Sequence, residues 1–146
     1  MDNRRKYGLI LALAVVLLFI WGNSLLPANT SATISGWLHK SLKTVFHGDG
    51  SGGDRLLRKA AHFTDFALLG AVLFSLLKHR VQRIGIAWLL SLGCGVAAGG
   101  LDELLQHFSP GRGPRFGDVC IDAAGVLAGT LVYLMVFFIR KSKCNK

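Results

Sequence analysis

Nine ionisable or amide side chains lie near the ends of otherwise apolar segments, where they could together form one polar site. They are Lys59, His62, Asp65, Asp102, Glu103, Gln106, Arg112, Asp118 and Asp122. A charge surrounded by hydrocarbon is costly, by roughly 2.5–3.5 kcal/mol at the centre of a membrane span and less near its ends. Several such groups in three separate segments therefore indicate a site rather than incidental polarity.

The spacing of these residues is helical in each segment. Lys59, His62 and Asp65 are three residues apart, so they line one face of a helix. The other two segments each contain residues four apart, which are the pairs Asp102 with Gln106 and Asp118 with Asp122. Each segment thus presents its polar groups on one side, as a shared site requires.

One hypothesis for the chemistry is catalysis of hydrolysis or transfer at a lipid-linked phosphate or ester. His62, Asp65 and Glu103 would then act as general acids and bases. A metal-dependent version would use His62, Glu103 and Asp118. The sequence contains no serine nucleophile elbow and no HExxH motif, and we predict neither a metal nor a cofactor.

The hypothesis that we favour is the binding of an anionic amphiphile, such as a lipid phosphate or a lipid-linked glycan. Its tail would lie among the helices and its head group would contact the cations of the site. The predicted binding residues are Lys59, His62, Asp102, Gln106, Arg112, Asp118 and Asp122. Two alternatives remain: a proton-coupled transporter, and a structural network in which Lys59 pairs with Asp65 or Asp118 and Arg112 pairs with Glu103.

Four apolar segments must position these residues. The chain has 146 residues, enough for a single domain, and 51% of them are hydrophobic. The apolar segments span residues 7–26, 60–77, 84–105 and 119–139, each long enough to cross a bilayer as a helix. Between the first two, residues 33–46 predict an interfacial amphipathic helix, and the glycine-rich residues 48–53 predict a flexible joint. The predicted fold class is an all-α membrane protein with four transmembrane helices.

The net charge of +9 comes from three basic clusters rather than from a nucleic-acid-binding surface. The clusters lie before the first apolar segment, between the second and third, and after the fourth. Four spans place all three on the same side, and the positive-inside rule makes that side cytoplasmic, together with both termini. The nine polar residues are then expected near the outer leaflet. Cys94, Cys120 and Cys144 fall in different compartments, so we expect no disulfide.

Three ordered motifs resemble the VanZ-like family of small bacterial membrane proteins. They are Lys59-x-x-His62-Phe63-x-Asp65-Phe66, then Asp102-Glu103-x-x-Gln106 followed by Pro110-Gly111-Arg112, then Asp118-x-x-x-Asp122-x-x-Gly125. The resemblance covers about residues 55–130, and it departs from the family pattern at Asp122, where asparagine is usual. It implies a multi-pass protein of the bacterial plasma membrane with a role in the cell envelope. The family takes its name from a protein that raises resistance to the glycopeptide antibiotic teicoplanin.

Overall fold

The computed structural model of the chain describes residues 3–26, 50–110 and 115–144. These residues form four helices and no strand, and we number the helices along the chain. They are α1 (Asn3–Leu25), α2 (Gly50–Lys78), α3 (Ile84–His107) and α4 (Phe116–Cys144). Each is long and apolar enough to cross a membrane, which confirms the predicted fold class. The predicted interfacial helix at residues 33–46 lies outside the described residues.

Three of the helices extend beyond the predicted apolar segments by several residues. Helix α2 begins at Gly50 rather than at residue 60, so residues 50–53 of the predicted flexible joint are helical. Glycine lowers helix stability by only about 1 kcal/mol relative to alanine, so a long helix can continue through it. Helix α1 begins at Asn3 and α4 continues to Cys144, because the basic residues at these ends are good helix formers. Hydropathy therefore located the spans but not the helix ends.

The helices alternate in direction, so the C-terminal ends of α1 and α3 lie at the same end of the bundle as the N-terminal parts of α2 and α4. Ser24 near the end of α1 bonds to Asp102 near the end of α3, while His62 early in α2 lies beside Asp122 early in α4. We call this the polar end of the bundle. At the opposite end, Lys78 lies within electrostatic range of Arg5 and Lys141. We call it the basic end, and its described cations are Arg4, Arg5, Lys6, Lys78, Arg80, Arg83, Arg140, Lys141 and Lys143.

The bundle interior is small, and most large apolar side chains face outwards. Phe66, Leu69 and Val126 are fully buried and form the core together with Ile20 and Ala98. By contrast, leucine, isoleucine and phenylalanine side chains are exposed along all four helices. In water such a surface would drive aggregation, whereas in a bilayer it faces lipid, where hydrocarbon is the solvent.

Glycines allow close contact between helices, both between α3 and α4 and between α2 and α4. Gly95 with Gly99 in α3 and Gly125 with Gly129 in α4 are pairs of small residues four apart, a spacing that predicts close contact between these two helices, and α3 and α4 are in contact. Gly95 and Gly99 do face α4. Gly125 instead faces α2, since a Cβ there would lie 2.5 Å from the carbonyl oxygen of Phe63, and Gly129 likewise faces the backbone of Ala67. The second glycine pair therefore packs α4 against α2 rather than against α3.

Candidate polar binding site

His62 lies at the centre of the polar end, between carboxylates from two other helices. Its Nδ1 atom is 3.6 Å from Asp122 Oδ1 on α4 and 3.8 Å from Asp102 Oδ2 on α3. Both aspartates are completely buried, whereas the His62 side chain keeps 17% of its surface exposed. The imidazole is therefore the most accessible member of this group of three residues.

Asp102 is held in place by hydrogen bonds from two other side chains. Ser24 Oγ on α1 donates to Asp102 Oδ1, and Gln106 Nε2, one turn further along α3, donates to Asp102 Oδ2 at 2.8 Å. Both donors are buried. We call the five residues that meet in this way the polar cluster: Ser24, His62, Asp102, Gln106 and Asp122. Because they come from all four helices, the cluster fixes the relative positions of the helices at the polar end.

Asp122 differs from Asp102 because neither of its oxygens accepts a hydrogen bond from a described residue. A buried polar atom without a partner costs about 1–3 kcal/mol, and more if it is charged. Glu103 also has one oxygen without a hydrogen-bond partner among the described residues. Its Oε2 accepts a hydrogen bond of 2.6 Å from the backbone N–H of Arg115, but its buried Oε1 has no partner among the described residues. Asp122 Oδ1 faces His62 Nδ1 at 3.6 Å, so Asp122 Oδ2 and Glu103 Oε1 are the two of these oxygens that could accept a donor from a ligand.

Two other residues proposed from the sequence, Asp65 and Asp118, lie near the polar cluster. The half-buried side chain of Asp65 is within electrostatic range of His62, Asp102 and Asp122. Asp118, also half-buried, is within electrostatic range of His62 and Glu103.

Two predicted cationic residues do not belong to the described cluster. Lys59 is exposed and forms no ion pair with another described residue, so the predicted pairing of Lys59 with Asp65 or Asp118 is not observed. Arg112 lies outside the described residues, and so does its predicted pairing with Glu103.

Three residues of the polar cluster carry atoms that could bind a metal ion. One ligand atom each from His62, Asp102 and Asp122 lie within 4.8 Å of one another. The metal-dependent hypothesis named Glu103 and Asp118 instead of the two aspartates. Adjacent residues on a helix point about 100° apart, so Asp102 faces His62 while Glu103 points towards the backbone of Arg115.

Ser24, which connects α1 to the site, was not predicted from the sequence. Its only signal is a hydroxyl in the last turn of α1, a helix that has no charged residue after Lys6. Ser109, just after the end of α3, was not predicted either, and its Oγ donates a hydrogen bond of 2.9 Å to the carbonyl oxygen of Leu26. These two serines attach the end of α1 to α3 and to the chain that follows it.

Comparison with known proteins yields a family. Searches of curated proteins and of solved structures found no match to this chain. A family model described as VanZ/LLP1 matches residues 8–138, which includes α1 as well as the region that carries the three motifs. With four helices that can span a bilayer, the chain is a multi-pass membrane protein, and it belongs to the VanZ/LLP1 family.

Proposed function

We propose that the protein binds an anionic amphiphile of the cell envelope, a lipid phosphate or a lipid-linked glycan, at the polar end of the bundle. The observation that carries the proposal is the presence of buried carboxylate oxygens without hydrogen-bond partners among the described residues, at the end of the bundle that also carries the exposed Lys59 and Arg115. Asp122 and Glu103 supply the oxygens, which would accept hydrogen bonds from the hydroxyl or amide groups of a glycan. A buried acceptor that lacks a donor in the protein is well suited to take one from a ligand.

Three cations at the polar end, of which Lys59 and Arg115 are exposed and Arg58 is half-buried, would contact the phosphate. Arg58 and Lys59 precede His62 by one helical turn, towards the start of α2, and the exposed Arg115 donates its backbone N–H to Glu103. Each cation near a membrane surface contributes about 1 kcal/mol to the free energy of binding an anionic lipid. Cations outside and carboxylates inside would orient a ligand that carries both a phosphate and sugar hydroxyls.

Apolar side chains at the same level would contact the hydrocarbon part of the ligand. Phe63, Phe108 and Phe116 are exposed, the last with 84% of its surface accessible. All three lie close in sequence to polar-end residues, so tail and head group could be bound side by side. By the positive-inside rule, the basic end lies in the cytoplasm and the polar end faces outwards, where envelope precursors are used. Binding of this kind is consistent with an effect on susceptibility to glycopeptides such as teicoplanin.

Lipid retention tests the proposal directly. The protein and its Lys59→Ala variant would be purified from membranes under mild conditions, and the retained lipids quantified by mass spectrometry. We expect Lys59→Ala to lower retention of the bound anionic lipid about fivefold, the loss of roughly 1 kcal/mol. Lys141→Ala, at the basic end, is the matched control and should retain the lipid as the wild type does. Equal retention in all three proteins would contradict the proposal.

The same preparations distinguish a binding protein from an enzyme. The position of His62 between two carboxylates also suits a general acid or base acting on a lipid-linked phosphate. Incubation with a polyprenyl pyrophosphate should give no product if the protein only binds. An enzyme would release phosphate, and His62→Ala would lower turnover about a hundredfold or more while leaving binding largely intact.

A further inference from the structure

We propose that His62, Asp102 and Asp122 bind a divalent transition-metal ion, and that zinc is the ion which their chemistry fits best. The site lies where α2, α3 and α4 meet, within the polar cluster. One imidazole nitrogen and two carboxylate oxygens form a donor set suited to zinc, whereas magnesium and calcium prefer oxygen donors alone. The inference shares Asp122 with the proposed function: zinc would bind the oxygen that faces His62, and the other oxygen would remain for an amphiphile. Zinc binding does not itself require the amphiphile, so the two proposals can fail separately.

Two of the three ligand-atom separations are close to those around a bound ion, and all three are within 4.8 Å. Zinc lies about 2.0–2.2 Å from nitrogen and oxygen ligands, so neighbouring ligand atoms in a tetrahedral site are about 3.4 Å apart. His62 Nδ1 is 3.6 Å from Asp122 Oδ1 and 3.8 Å from Asp102 Oδ2. These two separations need to shorten by only a few tenths of an ångström, whereas the two carboxylates, within 4.8 Å of each other, would have to approach by up to about 1.4 Å. Side-chain rotation can supply movements of this size.

The second observation is the environment of Asp122. Its side chain is completely buried, and neither oxygen has a hydrogen-bond partner among the described residues. No described lysine or arginine forms an ion pair with Asp102 or Asp122. Two buried carboxylates beside each other repel and are poorly solvated, so they require compensation. A protonated His62 would supply one positive charge, whereas a divalent ion would neutralise both carboxylates.

The surroundings of the site also resemble those of metal centres. Ligating carboxylates are usually fixed by further hydrogen bonds, and Asp102 receives them from Ser24 and Gln106. His62 is the partly exposed member, so a fourth position would open on its side, where water or a ligand could bind. Three protein ligands and one open position are typical of reactive rather than purely structural zinc sites.

Metal binding to the purified full-length protein tests this inference. Cys94, Cys120 and Cys144 would be replaced by alanine in every sample, because thiols bind zinc, and a purification tag without histidine would be used. The protein in detergent would be stripped with a chelator, dialysed and titrated with zinc chloride by calorimetry, with bound zinc counted by mass spectrometry. We expect about one ion per chain in the wild type.

Conservative variants then identify the ligands. Asp122→Asn and His62→Gln should each weaken zinc binding at least about tenfold, and zinc should raise the melting temperature of the wild type but not of these variants. Asp65→Asn is the matched control, since Asp65 lies in electrostatic range of the site but is not among the three ligands; its affinity should stay within about threefold of wild type.

Two results would overturn the site. One is a wild type that binds no zinc after chelation. The other is an unchanged affinity in Asp122→Asn and His62→Gln. If one variant does not fold, as judged by gel filtration and circular dichroism, the other decides. Lipid retention that fails while zinc still binds would refute the proposed function and leave the metal site intact.

Discussion

At the basic end of the bundle the described charged side chains are exposed or half-buried, whereas the polar end also buries three carboxylates, those of Asp102, Glu103 and Asp122. Arg5, Arg80 and Lys141 face outwards, and Lys78 lies over the ring of Phe137, 2.7 Å from its centroid. Burial and the neighbouring Arg5 and Lys78 cations lower the pKa of His79 there. At the polar end, Asp102 and Asp122 are buried and turn towards His62. Exposed charges need no fixed partner, whereas buried ones do, so only the polar end has the features of a site.

Helices α2 and α4 also contact each other differently towards the two ends. Towards the basic end, side chains fill the space: Phe74 packs edge-to-face on Tyr133, and Ser75 Oγ bonds to the Tyr133 hydroxyl at 3.1 Å. Towards the polar end, the backbones themselves meet at Gly125. Close backbone contact brings Asp122, one turn before Gly125, within reach of His62. The glycine is therefore part of what builds the site.

The largest expected difference between the two ends is their accessibility from outside the cell. With the native cysteines replaced, a membrane-impermeant maleimide should label Ser51→Cys, in the first turn of α2, in intact cells. Gln82→Cys, in the turn at the basic end, should be labelled only after permeabilisation, with at least about a tenfold difference between the two. Labelling of Gln82→Cys but not of Ser51→Cys would invert the bundle and remove the polar end from the outer leaflet.

Removal of His62, which lies beside two buried carboxylates at the polar end, should lower stability more than removal of a cation at the basic end. His62→Leu leaves two buried carboxylates together, and we expect it to lower the free energy of unfolding by roughly 3–5 kcal/mol. Lys141→Leu removes an exposed charge and should change stability by no more than about 0.5 kcal/mol. Denaturant unfolding in detergent micelles measures both.

A second substitution tests the cause of this loss. If it comes from uncompensated charge, Asp122→Asn combined with His62→Leu should be more stable than His62→Leu alone, because one of the two carboxylates is gone. If His62→Leu is as stable as the wild type, the buried carboxylates need no compensating charge. The contrast between the two ends would then lose its physical basis.

The sequence predicted the four spans and the gathering of polar residues at one end, because both follow from hydropathy and from alternating helix direction. It did not predict which neighbour each residue meets. Asp102 and Glu103 are adjacent and equally acidic, yet only Asp102 faces His62. Ser24 resembles any hydroxyl in an apolar helix until α3 packs beside it. The rotation of each helix about its axis is set by packing between helices, and the sequence of a single helix does little to predict it.

The smallest expected effect concerns the glycine contact that positions Asp122. In Gly125→Ala the new methyl group would meet the carbonyl oxygen of Phe63, a backbone atom that can move only if α2 moves. Overpacking of this kind costs typically about 1–3 kcal/mol. Gly93→Ala is the matched control, because a methyl group there would meet no atom within 4 Å, and alanine favours helix at that position by up to about 1 kcal/mol. Unfolding in detergent should therefore show a lower free energy of unfolding for Gly125→Ala and a higher one for Gly93→Ala.

Because α2 carries His62, Gly125→Ala should also weaken zinc binding, whereas Gly93→Ala should not. A Gly125→Ala variant with wild-type stability and zinc affinity would show that backbone contact between α2 and α4 does not position the site.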